Sequence, residues 1–425
     1  MSSEVGRVRA QPRQRRPVDR RNPLTVRPSA TRRSPRPFPT RATYLRRRLV
    51  AALCAVAVIV LLFVSVNAAL GGGARAPGSG APVTGPSPTV GEPVQTGYGW
   101  LAPPSGPGHL LPGSNPAVLP GPVLIADKLN NRLVIVDPEG RVRWVWPRPG
   151  DLAPGQTFKI PDDAFFSPDG RYIVVTQEDD FLITVIDVAT RRIVWRYGHP
   201  SVAGSGAGYL WNPDDAMLLR NGVVASADIK NCRLITIPYG GRSLAWHEGT
   251  VGSCTHNPPV QYGSPNGMFP LPNGHFLVTE INGDWVDEID LSGHVYWSTN
   301  PPGVLYPSDS SQLGPGRYLT VDYSSPGLVV IFDRAGHTLW RYAQSRPPSE
   351  LNHPSLAIGL PNGDILLNDD QNHRVVVIDP RTDKIVWQYG HDGVPGTAPG
   401  YLDNPDGLDL LPPNSYADRY QPRGE

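Results

Sequence analysis

Acidic side chains recur at two fixed phases of a repeating pattern between residues 121 and 414. Six prolines are each followed by a polar or small pair: Asp162-Asp163, Asp214-Asp215, Asn266-Gly267, Ser308-Asp309, Ser355-Leu356 and Asp406-Gly407. A further acid follows an apolar run in every repeat: Asp127, Glu178, Asp228, Glu280, Asp322 and Asp369. Gathered on one face of a fold, these carboxylates would create a field that favours cations and would raise some of their own pKa values. Hard oxygen donors suit a calcium-type divalent ion, which is the candidate cofactor, although no dense Asp-x-Asp-x-Asp-Gly loop is present. Asp162, Asp214, Asn266, Asp309 and Asp406 are the candidate ligand-binding residues, because a ring that varies from repeat to repeat suits a ligand without six-fold symmetry. A structural role for that ring fits the sequence equally well. The other ring stands beside Asn131-Arg132, Asn231-Cys232-Arg233 and Asn372-His373-Arg374, and is expected to tie its own loops by hydrogen bonds or ion pairs.

The ten His form no zinc pattern, and no His-x-x-x-His occurs. Of three Cys, Cys54 lies in an apolar run, whereas Cys232 and Cys254 fall in loops of one repeat. Outside the cytoplasm those two are expected to pair, closing a loop worth roughly 3 kcal/mol; buried free thiols are the alternative.

The elements that must position these groups follow from two landmarks. A short β-branched run closed by Asp, or once by Pro, precedes a Trp by seven or eight residues. The pairs are Asp137/Trp144, Asp187/Trp195, Pro238/Trp246, Asp290/Trp297, Asp333/Trp340 and Asp379/Trp387. A Pro also precedes a turn residue by nine positions in each repeat: Pro161/Gly170, Pro213/Gly222, Pro265/Gly274, Pro307/Gly316, Pro354/Gly363 and Pro405/Asn414. Proline opens a first strand, where its missing N–H does no harm. Asp-Gly or Asn-Gly then turns the chain into a second strand, the Val/Ile run makes a third, and the Trp segment a fourth. Such units are propeller blades. The first Asp/Trp pair lacks a Pro/Gly pair before it, and the last Pro/Gly pair lacks an Asp/Trp pair after it. The strand near 405–411 should therefore complete the blade begun by residues 121–147. The fold predicted is an all-β six-bladed propeller over 121–415, closed by its C-terminal strand and followed by a tail, 416–425. The recurring Trp are expected to pack blade on blade.

The segment from His353 to Gly390 carries the unit (Asn/His)-Pro…Leu-Pro-Asn-Gly…Asp…Asn-x-Arg-Val-x-Val-x-Asp…Trp-x-Tyr-Gly, which resembles an NHL-type repeat. The layout over 121–414 also resembles the six-bladed propeller of bacterial arylsulfotransferases. That second resemblance implies a sulfuryl-accepting nucleophile at His353, which opens a first strand, with His256 as the second candidate.

Ahead of the propeller the composition changes. Residues 1–48 hold fifteen Arg and no Lys against Glu4 and Asp19, a net charge of +13, so the remaining 377 residues carry −12 and a uniform neutral domain is excluded. This tail has no apolar periodicity and is expected to be disordered. Residues 49–70 are free of charge and long enough as a helix to cross a bilayer, and the Arg46-Arg47-Arg48 flank predicts a cytoplasmic N-terminus. Val66-Asn67-Ala68 resembles a cleavage site, but the long leader and long apolar run favour an uncleaved signal-anchor. Residues 71–120, with 12 Gly and 11 Pro, read as a linker. The protein expected is thus a cell-membrane protein anchored by its own helix, with the propeller outside. Its role would be recognition of an extracellular protein or glycan through an acidic face, or catalysis at the channel mouth by an arylsulfotransferase-like or metal-dependent hydrolase or lyase. Nucleic-acid binding is disfavoured, because only Phe38 and Tyr44 interleave the basic tail.

Overall fold

Alternating residues of a strand face opposite sides of its sheet, and here both sides are covered by apolar surface. In Arg374–Asp379, Val375 and Val377 pack into one buried cluster while Val376 and Ile378 pack into another. Sheets covered on both sides account for the uninterrupted Val/Ile runs. Six such four-stranded antiparallel sheets make up the fold of the computed structural model, which describes residues 98–420. The expected cytoplasmic tail (1–48) and transmembrane helix (49–70) lie outside the described residues. Among the described residues no helix is long and apolar enough to cross a membrane.

The innermost strands of blades 2 to 6 are Ala164–Phe166, Pro213–Leu218, Pro265–Pro270, Pro307–Gly314 and Ala357–Gly359. Each is followed by three more strands, ending for blade 6 at Lys384–Gly390. Blade 1 combines both parts of the propeller segment. Its innermost strand, Pro405–Leu410, pairs with Val123–Asp127, which continues into Arg132–Val136 and Val142–Trp146. Innermost strands of neighbouring blades also meet from blade 1 round to blade 6, and at the blade 6 to blade 1 seam the second strand of blade 6, Ile365–Asp369, meets Pro405–Leu410.

Indole N–H groups stitch neighbouring blades. Trp195 donates to the Gly241 carbonyl (3.1 Å), Trp340 to Asp383 (2.9 Å) and Trp387 to the Pro138 carbonyl (2.8 Å). In blade 1 the corresponding bond comes from Trp146, to the Arg191 carbonyl (3.1 Å), rather than from Trp144.

Two segments differ from their expected roles as linker and tail. From Tyr98 onward the Gly/Pro-rich stretch is held against the propeller. Trp100 packs edge-on to Trp144 at 6.0 Å, Ala102 N–H bonds the Arg143 carbonyl, and Asn115 N–H bonds the Val386 carbonyl (2.8 Å). Composition missed this because a few aromatic and backbone contacts suffice to dock a Pro-rich segment. At the other end, the short helix Tyr416–Tyr420 plugs the ring. Tyr416 is buried, with its ring 4.8 Å from Phe269 and 6.3 Å from Phe165. Buried Asp409 accepts the Tyr416 N–H (2.8 Å). The end of the ring away from the prolines is therefore apolar and filled.

Candidate functional site

The six prolines mark the opposite end, where a shared irregularity aims the acids. In blades 1, 3, 4 and 5 the register between first and second strands slips just after the proline. In blade 2 Asp162 and Asp163 both bond the backbone of Thr176, at 2.9 and 3.0 Å. A bulge of this kind re-aims side chains that would otherwise alternate. Consecutive carboxylates consequently gather in one place. One oxygen from each of Asp162, Asp163 and Asp214 lies within 4.8 Å of the others, and the same holds for Asp163, Asp215 and Asp309. Gly267 and Gly407 are required here, since a Cβ at either would stand 2.8 Å from a carboxylate oxygen, of Asp215 or of Asp163.

The predicted ligand-binding residues are therefore brought to one end of the ring, but beneath its surface. Asp162, Asp214, Asn266, Asp309 and Asp406 are all at most 6 % exposed. Asn266 spends its amide on Ser308 Oγ (3.2 Å). Asp163, Asp215 and Asp309 face one another instead of donors: both oxygens of Asp215, and one each of Asp163 and Asp309, lack a hydrogen-bond partner. Burial, followed by neighbouring carboxylates, holds Asp162, Asp214, Asp215 and Asp309 well above the carboxylate range. Burial also pushes Asp163 up to about 7.

Lys128 is the cation of this cluster. Its Nζ bonds Asp162, lies 2.5 Å from Asp406 Oδ2 and 3.6 Å from Glu178. Burial opposes its charge, yet the three carboxylates hold its pKa well above the usual lysine value. In return burial at Asp406 is outweighed by Lys128, with hydrogen bonds from Asp162 and Ser355 adding to it, and its carboxyl is lowered to about 2. Sequence reasoning passed over Lys128, Tyr306 and Tyr323. Lys128 and Tyr323 each come directly after an acid of the loop ring, and Tyr306 precedes Pro307; these offsets were the available signal.

The loop ring behaves as expected in three blades. Asp127, Asp228 and Asp369 begin a cassette Asp-x-x-Asn-x-Arg, in which the carboxylate accepts from Asn130, Asn231 or Asn372 (2.8–2.9 Å). It also accepts from Arg132, Arg233 or Arg374 (2.6–2.8 Å) and from a backbone N–H of the incoming loop. Asp322 likewise takes the Tyr306 N–H (2.8 Å). Glu178 is a correction. Strand register places Gln177, opposite Leu182, where Asp127 stands opposite Arg132. Glu178 is one residue later, so its side chain reaches Lys128 and Asn212 instead.

His353 and His256 stand apart in role. His353 is half-buried beside the mouth, its Nδ1 2.7 Å from Asn352 Oδ1 and its ring edge-on to Tyr323. His256 lies in the loop leading to blade 4, stacked on Trp285 at 4.1 Å and 3.0 Å from Glu280. Cys232 and Cys254 form the expected disulfide, with Cα atoms 5.1 Å apart.

Above the buried acids the surface is apolar in places. Among the described residues nine large apolar side chains are exposed, and seven of them lie in loops on the proline side of the ring: Leu129, Val202, Trp211, Val251, Val260, Leu305 and Val394.

No protein-family model and no curated protein matches the chain. Solved structures match it at the level of fold. A protein of unknown function from Bacteroides caccae is 17 % identical with a TM-score of 0.49, the match covering 68 % of this chain and 98 % of that one. A chain of a nidogen/laminin complex is 11 % identical with a TM-score of 0.49 and the same coverage. Virginiamycin B lyase from Staphylococcus aureus is 16 % identical with a TM-score of 0.39, covering 53 % of this chain and 69 % of that one.

Proposed function

We propose that this chain is a membrane-anchored, extracytoplasmic propeller that works as a recognition scaffold, its proline-side face meeting an extracellular protein or glycan. The observation that carries this is the gathering on that face of seven of the nine large apolar side chains exposed among the described residues. Exposed apolar groups, aromatic ones above all, are what partner surfaces use. Anchoring is supported by the uncharged run 49–70 behind its Arg flank.

The carboxylates below that face are too buried to touch a macromolecule, and they suit a small ion. The orphaned oxygens of Asp163, Asp215 and Asp309 form an all-oxygen donor set of the kind calcium takes. A calcium-type ion held by Asp163, Asp215 and Asp309, or by Asp162, Asp163 and Asp214, would supply charge balance beneath the recognition face.

The alternative is an enzyme at the mouth, arylsulfotransferase-like with His353 as nucleophile and His256 in support, or a metal-dependent hydrolase or lyase. His353 does sit beside the mouth, but the residues that surround it count against sulfate. Tyr323, next to His353, titrates high through burial and then the charges of Asp370 and Asp406, so the field there is negative.

The test is capture by the full chain in detergent on extracellular-protein and glycan arrays. The double variant Trp211→Ser/Leu305→Ser should lose capture, while Tyr296→Ser/Leu339→Ser on the outer strands should keep it. Equal capture by both variants would refute the recognition surface. Sulfuryl transfer to phenols that disappears in His353→Ala would establish the enzyme instead.

A further inference from the structure

Blade 4 departs from the loop cassette in a way that leaves negative charge without a cation. In blades 1, 3 and 6 the acid at the end of the second strand pairs with an arginine, and the position two residues beyond that arginine is apolar: Val134, Ile235 and Val376. In blade 4 the acid is Glu280, the arginine position opposite it holds Trp285, and the next inward position holds Asp287. An ion pair is replaced by two carboxylates, both under 1 % exposed. His256 stacks on Trp285 and brings Nδ1 to 3.0 Å from Glu280 Oε1, where blades 1, 3 and 6 have an arginine Nε. The same nitrogen is 3.9 Å from Asp287 Oδ2. Ser298, the cross-strand neighbour of Asp287, favours its charged form, yet neither Asp287 oxygen completes a hydrogen bond.

We propose that His256, Glu280 and Asp287 form a binding site for a divalent transition ion of the zinc type, separate from the carboxylates at the ring centre. One ligand atom from each lies within 4.8 Å of the others. Tetrahedral zinc with ligands at about 2.1 Å sets neighbouring donor atoms about 3.4 Å apart, and the 3.0 and 3.9 Å separations bracket that distance. An imidazole nitrogen with two carboxylates suits zinc better than calcium, which prefers oxygen alone. Two supports are already in place: Gly263 N–H bonds the second Glu280 oxygen, and Trp285 fixes the imidazole plane.

The experiment is titration of the full chain in detergent with Zn2+, followed by dialysis and metal analysis, and with Co2+ to read ligand-field absorption. One chelator-removable zinc per chain and a tetrahedral cobalt spectrum are expected. Asp287→Asn should weaken binding by about 100-fold or more. His256→Ala, which removes a partly exposed loop side chain, should do the same if Asp287→Asn folds poorly. Asp215→Asn at the ring centre should leave zinc affinity unchanged, which separates this site from the calcium-type site above. No bound zinc, or equal affinity in wild type and His256→Ala, would overturn the proposal.

Discussion

Lys128 Nζ stands 2.5 Å from Asp406 Oδ2 although 278 positions separate them in sequence. Both belong to blade 1, the lysine just after its second strand and the aspartate at the start of its first. One ion pair thus serves as charge balance for the carboxylate cluster and as a clasp between the two ends of the propeller segment.

Replacing Lys128 by Met should expose that double role. Asp406, Asp162 and Glu178 would lose their shared cation, and breaking a buried pair by removing one partner costs about 3–5 kcal/mol. Chemical denaturation at neutral pH should show a loss of that size. The loss should shrink in mild acid, where the abandoned carboxylates take up protons. Unchanged stability at neutral pH would mean that Lys128 clasps nothing.

The carboxylate cluster fixes the sign of a pH effect. Asp163 titrates at about 7 in the folded chain, and Asp162, Asp214, Asp215 and Asp309 are also raised. The folded state therefore holds protons that the unfolded chain has released above about pH 4. Stability from these groups is complete below that pH and is lost as pH rises through about 7. With chelator present, the melting temperature should be lower at about pH 8 than at about pH 5. Millimolar calcium should flatten the slope if an ion occupies the cluster. A melting temperature that climbs with pH in chelator would contradict the arrangement.

The loop cassettes predict an asymmetry between arginines. Arg374 is fully buried and bonds Asp369 (2.7 Å), the Pro348 carbonyl (2.8 Å) and the Glu350 carbonyl (2.9 Å). Arg374→Leu should cost about 3–5 kcal/mol, and Arg374→Lys should rescue little, because an ammonium cannot span three partners held by a planar fork. Arg381, 68 % exposed, also pairs with Asp379 and Asp364, yet Arg381→Ala should cost at most about 1 kcal/mol. Urea midpoints of the three variants decide this.

Removal of the Cys232–Cys254 bridge, 22 positions apart, should cost about 3 kcal/mol through loop entropy regained by the unfolded chain. The double variant Cys232→Ser/Cys254→Ser and the reduced wild-type protein should melt together. A double variant as stable as oxidised wild type would show that the outgoing loop of blade 3 is held without it.

What the sequence determined by itself was periodic: six Pro-to-turn intervals of nine, six Trp landmarks, and the odd element left at each end of the repeat. Strand alternation and turn chemistry are local, so they are written locally. Cys232 and Cys254 were legible for the same reason, as two cysteines in one repeat. The tertiary structure decided everything that depends on which side chains meet across blades. It put Asp162, Asp214 and Asp406 under the surface because a bulge after each proline aims them at the ring centre, and no residue pattern announces a bulge. It gave Lys128 its carboxylates from blades 1 and 2, and moved Glu178 out of the loop ring by one residue of register. It also brought His256 to Glu280 and Asp287 across 24 and 31 positions, a spacing that matches no metal motif because the ligands sit on a loop and two paired strands. Local pattern sets where strands lie; only closure of the ring sets which charges must share one buried volume.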